Sequence, residues 1–280
     1  VSIIVTDSSG LKDSTVFTVL VNTPAGDPSG IFSDDFFAAT LDTIWDFNDP
    51  LWNIPAEAGS YSLVNSNSLS AALEISVPSG SEHQLFTTGL RAPHMLQNAN
   101  DEDFQIEVKF LSAVNSPQYQ EQGIIIKESD TKYMRFEFYS SNSNTVVYAQ
   151  AYNGSSANSA VSSTVGNTNI SPLYMRVTRV GDVWTHSYST DSVNWSVNGG
   201  ASTFTYSINV DSVGVYTGNA LGTGSPAHTA SFDYFLNRND LNFTDDPIPV
   251  PVELVYFDAE KQGQKVHLNW LTATELNNHR

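Results

Sequence analysis

The chain has 280 residues and carries 12 Lys and Arg against 30 Asp and Glu, a formal net charge of −18. So acidic a chain lacks the basic surface that nucleic acids and anionic membranes demand, and no apolar run approaches the roughly 18 residues that span a bilayer. Cysteine is absent, which excludes thiol catalysis, Cys-bound zinc, iron–sulfur clusters and disulfides.

Helical periodicity is nearly missing, and most apolar segments alternate with polar residues at period two between Gly, Asn, Asp, Ser and Pro breaks. Residues 1–23 offer two strands around Asp7-Ser8-Ser9-Gly10, the second over 16–21 (VFTVLV). Pro and Gly crowd residues 24–30, a linker signature. One unit of short strands is predicted over 31–240. Its strands include 73–77 (LEISV), 104–110 (FQIEVKF) and 133–139 (YMRFEFY). Segment 123–127 (GIIIK) is apolar on both faces and reads as a central strand. Segments 174–179 and 183–188 flank a hairpin turn at Gly181-Asp182. Segments 213–216 and 230–235 close the unit. The polar stretch 153–164 is either a weak strand or a flexible loop at the rim of a site. Prolines at 247, 249 and 251 mark a second linker, 241–251. Two further strands, 252–257 and 265–270, turn around Gly263. Many short antiparallel strands without helices predict an all-β protein, a sandwich or jelly roll.

Several stretches carry resemblances. EQGIIIKESDTKYMRFEFYSS (residues 121–141), LYMRVTRVGDVWTHSYSTDSVNWSV (173–197), SVGVYTGNA (212–220) and HTASFDYF (228–235) resemble, in order, motifs of concanavalin A-like modules. RAPHMLQNANDEDFQIEVKF (91–110) resembles the opening of the same group. The modules most alike are the DUF1349 family and the C-terminal domain of family 43 β-xylosidases, which implies a concanavalin-like, laminin-G-like jelly-roll β-sandwich. Ser192 departs from the family, which has Gly there, so serine must accept a left-handed turn or the turn type differs. VTDSSGLKDSTVFTVLVN (5–22) resembles the last hairpin of cadherin-like or immunoglobulin-like modules. PVELVYFDAEKQGQKVHLNWLTATELNN (251–278) resembles the start of a fibronectin-III-like module of Bacteroidetes secreted proteins, associated with type IX secretion. The absence of cysteine, the high Ser, Thr, Asn and Gly content, and these partial ends read as a secreted or cell-surface bacterial polypeptide, of which this chain is a piece accompanied by further domains.

Concanavalin-like glycosidases use a Glu-x-Asp-x-x-Glu strand. The nearest stretch here, residues 101–107, lacks that spacing, so the paired carboxylates of retaining catalysis are not evident. Tyr133, Arg135 and His186 are the residue types of a lyase set, without a lyase motif; Glu107, Arg135 and Glu137 read otherwise as outward strand positions pairing across neighbours. The six histidines form no His-x-His or His-x-x-x-His pair, which argues against a transition metal. Asp34, Asp35 and Asp233 are candidate ligands of a structural Ca²⁺ if the first and last strands pair, or else turn caps and an outward strand residue. Aromatic residues make up 11% of the chain. Tyr139, Tyr148, Tyr152, Trp184 and Tyr188, with Gln150 and His186, are candidate sugar-binding residues. Rings such as Tyr and Trp stack on sugar C–H faces while polar edges meet hydroxyls. Trp195 reads as a packing residue, and Trp45 and Trp52 as staples of the N-terminal loops. The expectation is a non-catalytic carbohydrate-binding or adhesion module for a polysaccharide or cell-surface glycan. A structural spacer and a polysaccharide-degrading enzyme remain open beside it.

Overall fold

The computed structural model describes residues 27–86, 89–200, 203–240, 243 and 245, together with 5–6, 12–13, 254–262 and 265–272. Its strands in chain order begin with β1 (Val5–Thr6), β2 (Lys12–Asp13), β3 (Asp46–Asn48), β4 (Ser60–Val64), β5 (Ala72–Val77), β6 (Leu85–Phe86) and β7 (Gly89–Leu90). They continue with β8 (His94–Asn98), β9 (Phe104–Phe110), β10 (Gln120–Ser129), β11 (Lys132–Ser141), β12 (Asn144–Asn153), β13 (Ser156–Asn167) and β14 (Leu173–Val180). The last are β15 (Val183–Ser189), β16 (Ser196–Val197), β17 (Phe204–Thr205), β18 (Ser212–Asn219), β19 (His228–Asn237), β20 (Leu254–Gln262) and β21 (Lys265–Thr272). Among the described residues the only helical turn is the 3-10 segment Gly222–Gly224.

Two antiparallel sheets form the body, a concanavalin-like jelly-roll sandwich. One has the order β13-β12-β11-β10-β18-β8-β3; the other runs β16-β15-β14-β9-β19-β5-β4, with β17 also paired to β15. Alternation explains the layering. Ile124 and Ile126 of β10, Met134, Phe136 and Phe138 of β11, and Val147 and Ala149 of β12 point inward. There they meet Phe104, Ile106, Val108 and Phe110 of β9, Trp184 of β15, and Phe232 and Phe235 of β19. Successive side chains point to opposite faces, so one strand builds this core with every second residue and leaves the others for the outer face.

The seven-stranded sheet is covered on both faces. On its outer side Ile125, Tyr133, Tyr152, Tyr216 and Leu96 form a second apolar cluster with Leu85, Ala92 and Leu90, contributed by or next to the β6–β7 hairpin. That cover is why 123–127 is apolar throughout and why β10 is central, between β11 and β18. Gly123 and Gly214 lie where a Cβ would meet neighbouring backbone at 2.1 and 1.8 Å, so only glycine permits the strands to approach so closely there.

The first and last segments of the unit pair as expected, through mutual backbone hydrogen bonds of 2.8 Å between Asp34 and Phe235. Trp45 is a staple: its ring packs on Phe36 and Phe235 and its Nε1 donates to Asp34 Oδ2 at 2.8 Å. The stretch 153–164 is mostly strand: it turns at Gly154 (φ 58°) into β13, an edge strand. β1 pairs antiparallel with β2 and β20 with β21, and the turns expected between them lie outside the described residues. The expected strand over 16–21 and the linker prolines fall outside the described residues.

The turn after β15 accepts serine in the left-handed region, with φ 61° at Ser192. Asp191 holds it: Oδ1 accepts from the Val193 and Asn194 amides at 3.0 and 2.7 Å, and Oδ2 from Asn194 Nδ2 at 2.8 Å. A left-handed non-glycine residue costs roughly 1–2 kcal/mol, and glycine gives part of that back as unfolded-chain entropy. Ser192→Gly is therefore expected to stabilise the protein by about 0.5 kcal/mol, read as a higher urea midpoint at unchanged slope; a lower midpoint would show that the turn is not strained.

Candidate functional site

The outer face of β10–β12 opens beside the β6–β7 hairpin into a pocket of about 450 Å³. Tyr139 and Tyr148, Tyr119, Phe86 and Leu221 form its walls. Its floor is charged: Arg135, Glu137 and Glu121, with Glu82 at the rim. Tyr133, Arg135, Glu137 and Tyr139 occupy alternate positions of β11, and their cross-strand partners on β12 are Tyr152, Gln150, Tyr148 and Val146. The sheet register therefore assembles the site from strand positions that share one face.

The floor is a buried triad. Arg135 Nη1 lies 3.3 Å from Glu137 Oε2 and 3.6 Å from Glu121 Oε2. Arg135 is 6% exposed, Glu121 4% and Glu137 1%. The Tyr216 hydroxyl donates to Glu137 Oε2. Burial, reinforced by Glu137, pushes the Glu121 carboxyl up to about 8. Burial also raises Glu137, against the pull of Arg135 and the Tyr216 hydroxyl. Burial disfavours charge on Arg135, but Glu137 and Glu121 more than offset it, and the guanidinium is held above its ordinary value. Burial thus biases both carboxyls toward the protonated form beside a guanidinium that stays charged, and Glu121 carries a proton near neutral pH. Glu121 Oε2 and Arg135 Nε and Nη1 complete no hydrogen bond within the protein. The guanidinium also lies 5.2 Å from the Tyr148 ring centre, 5.6 Å from Tyr152 and 5.9 Å from Phe86. Aromatic faces hold a cation in this way.

The sequence candidates divide between the two sheets. Tyr139 and Tyr148 line the pocket, partly exposed. Gln150 is a positioning residue, its Oε1 accepting from both the Tyr148 and Tyr152 hydroxyls at 2.6 Å. Tyr152 lies wholly buried beneath Phe86 and beside Tyr133. Trp184 and His186 are corrected outright. They do share a face, but that face points into the sandwich. Trp184 is 0% exposed and donates to the Tyr206 carbonyl, and His186 is buried against Asn198 and Phe136. Burial drives the His186 imidazole down to about 3. Tyr188 packs at the margin of the same core. The set Tyr133, Arg135 and His186 does not assemble, because His186 belongs to the other sheet.

The three calcium candidates have separate partners. Asp34 accepts from the Phe36 amide and the Trp45 indole, Asp35 from the Phe37 amide, and Asp233 pairs with Lys109. Among the described residues no three His, Asp or Glu side chains are placed to share a metal. Glu107 is also paired, but buried rather than solvated: Arg176 Nη2 is 2.5 Å from its Oε2 and the Tyr234 hydroxyl donates to Oε1 at 2.8 Å. Trp195 packs as expected, under the Arg176 guanidinium at 3.7 Å. Trp52 does not staple a loop and is 75% exposed. The sequence signal for the missed triad was charge inside otherwise apolar strands, Glu121 beside GIII and Arg135 and Glu137 within YMRFEFY.

No family model and no curated protein matches the chain. Solved structures share its fold. A GH43 protein of Bacillus licheniformis superposes with TM-score 0.55 at 15% identity, covering 84% of this chain and 45% of that one. Bacteroides ovatus Xyloglucan PUL GH43B gives 0.54 at 16% identity, covering 84% and 46%. A xylan β-1,4-xylosidase of Bacillus halodurans C-125 gives 0.53 at 13% identity, covering 84% and 45%. The chain thus spans a little under half the length of each, and at these identities the likeness is one of fold.

Two outcomes follow from the triad. Arg135→Ala removes the buried cation that Glu121 and Glu137 share and leaves their oxygens without that partner, and is expected to cost about 3–5 kcal/mol in chemical denaturation. Glu121 titrates near 4.5 when exposed and near 8 when folded, so its contribution to stability is full below about pH 4.5 and is lost as pH rises through about 8. The melting temperature of wild type should therefore fall more between pH 5 and 9 than that of Glu121→Gln, by at least ~2 °C; parallel curves would mean that Glu121 is ionised throughout.

Proposed function

We propose that the chain is a carbohydrate-binding module whose ligand enters the pocket beside the β6–β7 hairpin. The observation that carries this reading is the pairing of open aromatic walls with a floor of unspent hydrogen-bonding atoms. A pyranose ring offers an apolar C–H face and a fringe of hydroxyls. Tyr139, Tyr148 and Phe86 suit the first. Arg135 donates to a hydroxyl oxygen, and the Glu137 carboxylate accepts from a hydroxyl. Glu121, protonated near neutral pH, both donates and accepts. The Arg135 guanidinium is enclosed by two acidic side chains, which fits a neutral sugar better than an anionic one. The fold likeness to glycosidase-associated structures supports the same reading, as does the secreted or surface polypeptide, with further domains, that the terminal resemblances imply.

One observation favours a second reading. Two buried carboxyls of raised proton affinity, Glu121 and Glu137, occupy one open pocket, and burial tunes catalytic acids in this way. Against it, both touch the same guanidinium nitrogen, which neutralises the pair rather than leaving it poised for opposed attack. We therefore keep binding as the conclusion and hydrolysis or lyase chemistry as the alternative.

Affinity gels containing xylan, xyloglucan, mixed-linkage β-glucan, galactomannan or galactan test the reading. At least one polysaccharide should retard the wild type, and Tyr148→Ala should weaken that retardation about tenfold. Because Tyr148 also packs on Arg135 and donates to Gln150, the variant should melt below wild type, and its binding is read at a temperature where it remains folded. Retention by none of them would return the chain to the spacer role. Release of reducing ends or unsaturated sugar, abolished by Glu121→Gln and by Glu137→Gln, would establish the enzymatic reading instead.

A further inference from the structure

We infer that the loop over residues 49–59 forms a second glycan-stacking site, separate from the pocket and centred on Trp52. The indole is 75% exposed, although burying a side chain of this size is ordinarily worth a few kcal/mol. The loop that carries it is tied down at every turn. Asp49 Oδ1 accepts from the Leu51 amide at 3.1 Å and Oδ2 from the Gly59 amide at 2.8 Å, closing the loop on itself. The Trp52, Ile54 and Glu57 amides donate to the Asp49, Leu51 and Ile54 carbonyls at 3.2, 2.9 and 2.7 Å. Leu51 is buried beneath, and the Glu57 carbonyl lies 2.6 Å from Nε2 of the buried His83. An exposed tryptophan on a fixed loop is pre-organised, so binding to it loses little conformational entropy.

The ring also lines two open hollows. One, of about 340 Å³, is formed with Asn48, Leu90, His94, Lys127 and Asp130. The other, of about 380 Å³, is formed with Phe47, Ala58 and Gly59. Lys127 and Asp130 pair at 2.6 Å, with the Asp130 side chain 81% exposed, so hydroxyl donors and acceptors border the indole without a dominant charge. That setting favours one occupant. A neutral chain of pyranose rings can stack one unit on the indole and set its neighbours into the two hollows. A protein partner asks instead for a broad apolar patch, and the indole here is bordered by Asn48, Asp49, Lys127 and Asp130. The β6–β7 hairpin touches both places, Leu90 lining this hollow and Phe86 the pocket. Each of the two surfaces is a complete contact by itself.

The test runs Trp52→Ala and Tyr148→Ala in parallel with the same five polysaccharides in affinity gels, and adds acrylamide quenching of tryptophan fluorescence in wild type and Trp52→Phe. Because Trp52 is exposed, Trp52→Ala should melt within a degree or two of wild type. A polysaccharide that retards wild type should be retarded at least tenfold less by Trp52→Ala. It should also protect wild-type fluorescence from acrylamide, and that protection should vanish in Trp52→Phe. Loss in Trp52→Ala with retention in Tyr148→Ala would establish this site even if the pocket holds no sugar. Unchanged retardation of Trp52→Ala, no protection of fluorescence, or no retardation of wild type by any of the five would overturn it.

Discussion

A buried charge must find its counter-charge, and in this protein that requirement is concentrated on one guanidinium. Arg135 sits between Glu137 and Glu121 on the outer face of the seven-stranded sheet, with Tyr216 of β18 donating to Glu137 across Gly123 of β10. Removing a group of this kind from water is costly unless partners are in place. The partners come from three adjacent strands, β10, β11 and β18, so the triad holds only when their register is correct. A slip of one residue would turn Arg135 into the apolar interior and Phe136 out of it. The same register that closes the core therefore builds the pocket floor.

The two sheets use their outer faces differently. On the eight-stranded sheet Glu107 meets Arg176 and Tyr234, Asp233 meets Lys109, and Trp195 lies under the Arg176 guanidinium. These groups satisfy one another. On the seven-stranded sheet the β6–β7 hairpin covers only part of the face. Beneath it Tyr133, Tyr152 and Ile125 are sealed; beside it Tyr139 and Tyr148 stay partly open over the buried, unpartnered atoms of the triad. A partial cover converts an ordinary sheet surface into a site, because it removes water from the charges while leaving an entrance.

Particular residues show how far pattern reading carries. FQIEVKF and YMRFEFY alternate, and their apolar members do line the core. GIIIK is apolar on both faces, and β10 is central. Tyr139 and Tyr148 were singled out for their type and company, and they are at the pocket. Trp184, His186 and Tyr188 were singled out by the same argument and face the interior, since period two tells which residues share a face and not which face is wet. Trp52 was read as a staple because its neighbours, Asp49 and Pro50, signal a turn; the turn is there, but it holds the indole outward.

What the amino-acid order determined by itself is therefore local and repetitive: strands, their alternation, the Gly181 and Ser192 turns, and with them an all-β sandwich. Each follows from backbone sterics and from apolar residues leaving water, which act over a few positions. The tertiary structure alone decided which face of each strand is covered, that Glu121 of β10 meets Arg135 and Glu137 of β11 in one buried cluster, and that one indole stands free while another is sealed. Those outcomes depend on what packs against a strand from far along the chain, and the period of two is identical whether the cover is a second sheet, a short hairpin or nothing at all.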